Sequence, residues 1–388
     1  MRRIYRYKNK TGKKIVFALT ALLGLCVASC IRADGECPGN VNDAPRTFLL
    51  SYEIPDSELA ESSPATRAPG TTPSVGTENV IESVRVLFFE RDDYGNGTFI
   101  GSLGGQQEGK SLEKVGELTI TLADPIKEDN EYNVLVIANA DKYITPAALD
   151  AFCATRTENL VKIELMPMLA AEPVAGTTYS RFTVPDGCLP MSASAVKEAK
   201  KGIKVSLLRA AVRIDVTTKI PEGEEEVIVE QAQIANIAPG VPLFCDPREM
   251  EAPYLWGVMK TLDKSGDTPE NEIKGGLYAM ETYNAPTDRA KLITQRTCLL
   301  VQCHTESYTG TRNWYRVDVN VADTETEGKT MQYLKRNNVY VVQIEGIRSL
   351  GAKSAEEAYY SDATLIASVT IPGKWNDSGV TPPDVDVN

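Results

Sequence analysis

The chain has 388 residues, with 41 Lys+Arg against 53 Asp+Glu and one histidine. A net charge of −12 argues against nucleic-acid binding, which needs clustered cations to displace counterions. The lone histidine, His304, argues equally against a histidine-based triad or a multi-histidine metal site.

Residues 1–29 read as a lipoprotein signal peptide. Seven basic residues and no acid (Arg2, Arg3, Arg6, Lys8, Lys10, Lys13, Lys14) precede an apolar run from Ile15 to Val27, and Ala28-Ser29 lead into Cys30. A charged start, a short apolar run and small residues before a cysteine are what a lipoprotein signal peptidase reads. The run falls short of the ~20 apolar residues a membrane span needs. Cys26 is the rival acceptor, but bulky Leu25 stands where a small residue is wanted. Cys30 is therefore the expected lipidation site, and the chain is expected in a bacterial envelope. Without residues 1–29 it keeps 34 Lys+Arg against 53 Asp+Glu, a net charge of −19, which suits a soluble protein that must not stick to anionic membranes.

Residues 31–79 read as a leader. Thr47–Ile54 (TFLLSYEI) is a predicted strand with Phe48, Leu50, Tyr52 and Ile54 on one face. Residues 62–73 follow as a linker of turn-forming residues with little to bury. Arg67, followed by Ala68, stands in the middle of that linker and is a candidate processing site.

From Val80 onward the pattern is mostly β. Strands are predicted over 81–90, 117–122, 132–139, 160–165 and 179–184, with one short helix over 145–154 capped by Thr145 and started by Pro146. A second set covers 203–218, 227–237, 292–303, 315–321, 338–347 and 364–371. Many strands at short spacing with Gly, Pro and Asp turns point to sandwiches rather than a parallel α/β sheet. The boundary between two domains is placed near residue 205.

Motifs for chemistry are missing. There is no P-loop, no G-x-S-x-G and no dinucleotide fingerprint. Cys298, Cys303 and His304 are close in sequence but lack zinc-ligand spacing, and the two cysteines would face opposite sides of a strand. Asp92–Gly97 has calcium-loop residue types without the distal glutamate, and reads as a hairpin turn. The many carboxylates come with no aromatic-rich cleft signature of a glycosidase.

Several segments together resemble the fimbrillins, the subunits of type V pili: Val134–Asn139 (VLVIAN), Leu189–Ser192 (LPMS), Leu207–Ile214 (LLRAAVRI), Leu334–Tyr340 (LKRNNVY) and Val369–Trp375 (VTIPGKW). The resemblance covers most of residues 80–376. It implies a mainly β fold of two tandem transthyretin-like β-sandwich domains with a cleavable N-terminal leader strand. The implied division is 1–29 signal peptide, 30–67 propeptide with the leader strand, 68–205 first domain and 206–388 second domain. It also implies no catalytic activity, no cofactor and no metal. The implied partners are other fimbrial subunits, an arginine-specific surface protease cutting between Arg67 and Ala68, the outer membrane before processing, and a host or bacterial surface ligand.

In such a subunit the leader strand leaves a slot that another subunit's C-terminal segment fills. Val369, Ile371, Val385 and Val387 are the donor candidates, because Pro382 and Pro383 cannot donate to a ladder. Cys30–Pro38 also resembles the start of the related anchor subunits, so stalk, tip and anchor roles stay open. A carbohydrate-binding or carbohydrate-active lipoprotein of the same envelope is the reading from another class.

Overall fold

The computed structural model describes residues 46–55, 70–72, 78–91, 97–111, 114–127, 130–184, 188–195, 202–219, 222–223, 225–245, 254–262, 272–283, 293–308, 312–319, 322–323, 329–330, 333–361, 365–370 and 373–375. All of these fall in one compact unit. The fold is mainly β, built on several sheets.

The segment expected as a leader forms strand β1 (Thr47–Glu53), and the short β2 (Gly70–Thr72) follows it. Next come β3 (Ile81–Arg91), β4 (Gly97–Ser111), β5 (Val115–Thr121) and β6 (Tyr132–Ala138). Then follow β7 (Met191–Ala195), β8 (Gly202–Ser206) and β9 (Leu208–Arg209). Two sheets result, one of five strands in the order β9-β7-β6-β3-β4 and one of three in the order β8-β1-β5.

The five-stranded sheet is covered on both faces. Val84, Val86, Phe88, Val134 and Val136 pack with the β1 side chains in one apolar cluster. Leu87, Phe89, Leu135 and Ile137 point the other way, into a cluster that includes Leu149 and Val161 of two helices. That double burial explains why 86–89 and 134–138 are unbroken apolar runs instead of alternating ones.

The helices are α1 (Pro146–Cys153) and α2 (Glu158–Glu164). Thr145 caps α1 by accepting a hydrogen bond from the Ala148 amide at 3.3 Å, and Pro146 needs no partner at the first position. Helix α2 corrects the strand expected over 160–165. Val161 is buried within it and Leu165 just after it, one turn apart, while Leu160 and Ile163 are exposed. Lys162 pairs with Glu158 at 2.5 Å in the i, i+4 relation that only a helix provides. A short apolar run does not separate helix from strand by periodicity alone.

The run 203–218, expected as one strand, breaks into β8, β9 and β10 (Ala211–Thr218), which enter three different sheets. Strand β10 opens the second half. There follow β11 (Val227–Ala235), β12 (Lys260–Thr261), β13 (Tyr278–Met280), β14 (Cys298–Thr305) and β15 (Asn313–Asp318). The last are β16 (Val339–Ile347), β17 (Leu365–Thr370) and β18 (Gly373–Trp375), with the short helix α3 (Ala355–Tyr359) before β17. One four-stranded sheet runs β13-β10-β16-β17 and the other β12-β11-β14-β15. Cys298 and Cys303 are free thiols in separate apolar clusters, on opposite faces of β14.

Candidate functional site

Strand β1 is the centre of its sheet. On one side β1 runs antiparallel to β5, from Thr47 opposite Thr121 to Glu53 opposite Val115. On the other it runs parallel to β8, from Leu49 opposite Gly202 to Glu53 opposite Ser206. Further backbone bonds tie its ends: the Ile54 amide donates to the Lys114 carbonyl at 2.7 Å, the Leu122 amide to Arg46 at 2.8 Å, and the Leu207 amide to Glu53 at 2.7 Å. Strands β5 and β8 therefore meet through β1, with both of its hydrogen-bonding edges in use.

The alternation of TFLLSYE decides which side chains enter the core. Phe48, Leu50, Tyr52 and Ile54 are buried in the cluster between the two sheets, while Leu49 is exposed on the outer face. The Phe48 ring stands edge-on to Phe88 with centroids 5.3 Å apart, and Phe88 edge-on to Tyr132 at 5.8 Å. Such contacts add to the area term, which is roughly 1.5–3 kcal/mol per buried side chain of this size as an upper range. Four of them together rival the ~5–15 kcal/mol that holds a whole domain folded. The slot cannot stand empty without large loss.

Two glycines shape this slot. A Cβ on Gly116, opposite Tyr52, would lie 2.4 Å from the Tyr52 hydroxyl oxygen. A Cβ on Gly202 would lie 2.6 Å from the Leu49 carbonyl oxygen. At the solvent edge, Glu53 accepts from Ser206 Oγ at 2.7 Å and pairs with Lys204 at 3.1 Å. The Ser206 hydrogen bond first, and Lys204 second, hold its carboxyl below the usual range.

The chain leaving β1 touches a buried polar network. Asn337, whose backbone is left-handed at φ 57°, donates from Nδ2 to the Pro55 carbonyl at 3.3 Å. Asn337 Oδ1 accepts from Arg209 Nη1 at 2.7 Å, and Arg209 also donates to the Glu78 carbonyl and to the Asn79 side chain. Arg213 bridges the Glu78 and Asp215 carboxylates at 2.8 Å each, all three side chains being essentially fully buried. Tyr278 donates to Glu78 at 2.8 Å, and burial, reinforced by the Glu78 charge, pushes its hydroxyl well above the usual range, so it stays a donor. Arg209 and Arg213 lie in the LLRAAVRI segment, which falls in the strand predicted over 203–218 and does not reveal that its arginines are buried.

Of the other expected site residues, Val369 lies buried in β17, opposite Val342 of β16. Cys30, Arg67, Ala68, Ile371, Val385 and Val387 lie outside the described residues. Close to Arg67 in sequence, β2 pairs in parallel with β18, Gly70 opposite Gly373. His304 is buried, with Nδ1 3.5 Å from a Glu230 carboxylate oxygen. Among the described residues no group of three or more His, Cys, Asp or Glu is placed to hold a metal.

No curated protein matches the chain. Among solved structures, one assigned to cell adhesion from Parabacteroides distasonis aligns with 14% identity over 87% of this chain and 99% of its own, with a TM-score of 0.51. The tip fimbrial protein Mfa3 of Porphyromonas gingivalis, with its C-terminus truncated, aligns with 14% identity over 84% and 99%, at a TM-score of 0.48. At such identity the first of these likenesses concerns the fold alone, and the second carries no argument. The sequence itself matches a family model, that of the major fimbrial subunit protein (FimA), over residues 56–230. Over that segment, a little under half of its length, the resemblance to the fimbrillins extends from single motifs to a continuous match.

Proposed function

We propose that this protein is a structural subunit of a cell-surface fimbrium, exported as a lipoprotein on Cys30, cut between Arg67 and Ala68, and polymerised by donor-strand exchange. The observation that carries the reading is the position of β1: a separate N-terminal strand, central in its sheet, with both edges bonded and four side chains in the core. An incoming strand with alternating apolar residues offers the same backbone bonds and the same pocket fillers. Val385 and Val387 are the favoured donor residues, since Val369 is already engaged in the β16–β17 pair. The role is structural, and no reaction is assigned to the chain.

Sheet membership supports a division between domains 68–205 and 206–388. Strands β8 and β9 pair within the first two sheets, which favours a boundary just after Arg209 over one at 205; β10 enters one of the other two sheets. The alternative, a non-polymerising anchor or tip adhesin of the same fold, shares every feature of the slot but keeps its leader. Determining the N-terminus of the protein recovered from cells separates them. A start at Ala68 supports polymerisation, and a lipidated Cys30 in the assembled fimbrium overturns it in favour of an anchor.

A further inference from the structure

A second candidate site joins residues 178–182 to the second half of the chain and shares no residue with the leader slot. Residues 178–182 run beside 254–257: the Phe182 amide donates to the Trp256 carbonyl at 2.7 Å, and the Trp256 amide to Ser180 at 2.9 Å. This places the Tyr179 ring flat on Trp256, with centroids 4.0 Å apart and planes 10° from parallel. Trp256 leans on Tyr359 at 5.2 Å, and Tyr359 stands edge-on to Tyr360 at 4.7 Å. The four rings come from three distant stretches of sequence and surround a cleft of about 470 Å³.

The cleft is held rigid from beneath. Asn236, buried and left-handed at φ 62°, donates to the Ile293 and Arg296 carbonyls at 2.8 and 2.7 Å and accepts from the Tyr359 hydroxyl at 2.7 Å. Trp256 and Tyr359 are thereby fixed as floor, at 5% and 6% exposure, whereas Tyr360 is 68% exposed. Polar groups ring the opening: Glu356 and Thr294 are exposed and Gln295 is half-buried. The Tyr179 hydroxyl donates to Glu356 at 3.4 Å. Burial, and then the Glu356 charge, keep that hydroxyl above its usual range, so it remains a donor.

We infer that this cleft binds a neutral oligosaccharide. A pyranose ring offers an apolar C–H face for an aromatic ring and hydroxyls at its edge for carboxylate, amide and hydroxyl partners, which is the combination present here. The volume lies within the ~300–1,000 Å³ of small-ligand sites. The Glu356 carboxylate in the rim and the acidic chain disfavour sialylated or phosphorylated ligands. A quaternary ammonium would need open ring faces converging on one point. Here Tyr179 and Trp256 close one face of each other, and the Arg316 guanidinium lies 5.2 Å from the Tyr359 ring centroid, so a second cation is unwelcome.

The test uses the full chain, purified in detergent, on an array of neutral and sialylated oligosaccharides, followed by titration of tryptophan fluorescence with the neutral binders and with choline. Binding to neutral oligosaccharides is expected, weakened at least tenfold by Tyr360→Ala and by Glu356→Ala. Both side chains are exposed, so the urea midpoint of each variant should match the wild type, which separates lost binding from lost folding. Arg67→Ala should bind as the wild type does, because the cleft shares no residue with the leader slot; a failure of the pilus reading therefore leaves this result unaffected. Absence of any neutral binder, preference for sialylated glycans or choline, or full binding by both cleft variants would each overturn the inference.

Discussion

Tyr52 and Gly116 face each other across the β1–β5 ladder so closely that one added methyl group on the glycine would sit 2.4 Å from the tyrosine hydroxyl oxygen. The leader strand is thus matched to its neighbour side chain by side chain and is not merely laid on an apolar surface. The register follows from this fit, since a shift by one residue would turn Phe48, Leu50, Tyr52 and Ile54 to solvent.

The first prediction comes from that pair. Gly116→Ala should destabilise the uncleaved protein by about 1–3 kcal/mol, the usual cost of overpacking. In a Tyr52→Ala background the same change should cost little, because the colliding ring is gone. Urea unfolding of the four proteins in the cycle measures the coupling. Equal costs in both backgrounds would mean that Tyr52 does not fill this position.

The second concerns Arg67. On the proposed assembly route the tethered leader would compete for the slot at a high effective concentration, and a strand from another subunit would have to arrive by diffusion. Cutting the tether removes that advantage. Arg67→Ala protein should be exported normally and remain monomeric, without the ladder of oligomers expected of the wild type on mild denaturing gels. Polymerisation at the wild-type level with the leader still attached refutes the gating role.

The third concerns Cys30. Cys30→Ala should abolish labelling by a lipid precursor and leave the protein at the inner membrane. Labelling that persists in this variant would reassign the lipid to Cys26.

The fourth concerns Arg213, which lies between the Glu78 and Asp215 carboxylates with no solvent access. Arg213→Met leaves two buried carboxylates without their bridging cation and should cost about 3–5 kcal/mol. In the variant, burial should raise the folded-state carboxyl pKa above its unfolded value. The deficit should therefore shrink as pH falls toward 4 and grow as pH rises. Thermal unfolding across pH 4–8 checks the sign. A deficit independent of pH would mean that lost packing, and not the orphaned charge, is responsible.

Much of this molecule was legible in its residues. The export reading of the basic start, apolar run and Ala28-Ser29-Cys30 rests on linear sequence alone, since those residues lie outside the described ones. The alternation of Thr47–Ile54 identified both a strand and its buried face, because strand periodicity is local. Runs such as Val134–Ala138 announced strands by their length and β-branched content. Local pattern did not suffice at 160–165, where the i, i+4 spacing of Val161 and Leu165 and a charge pair made a helix. It also failed at 203–218, where one predicted strand feeds three sheets.

Only the tertiary structure decided the rest, because it depends on contacts between residues far apart in the chain. That β1 sits between β5 and β8, parallel to one and antiparallel to the other, joins residues up to 153 positions apart (Glu53 and Ser206). The burial of Arg209 and Arg213 depends on Glu78, Asn79 and Asn337, none of which their own segment contains. The aromatic cleft gathers Tyr179, Trp256 and Tyr359 from stretches that individually look like ordinary strand and turn residues. Sequence periodicity tells which way a side chain points, whereas its partner is decided by loop closure and packing that no local window contains.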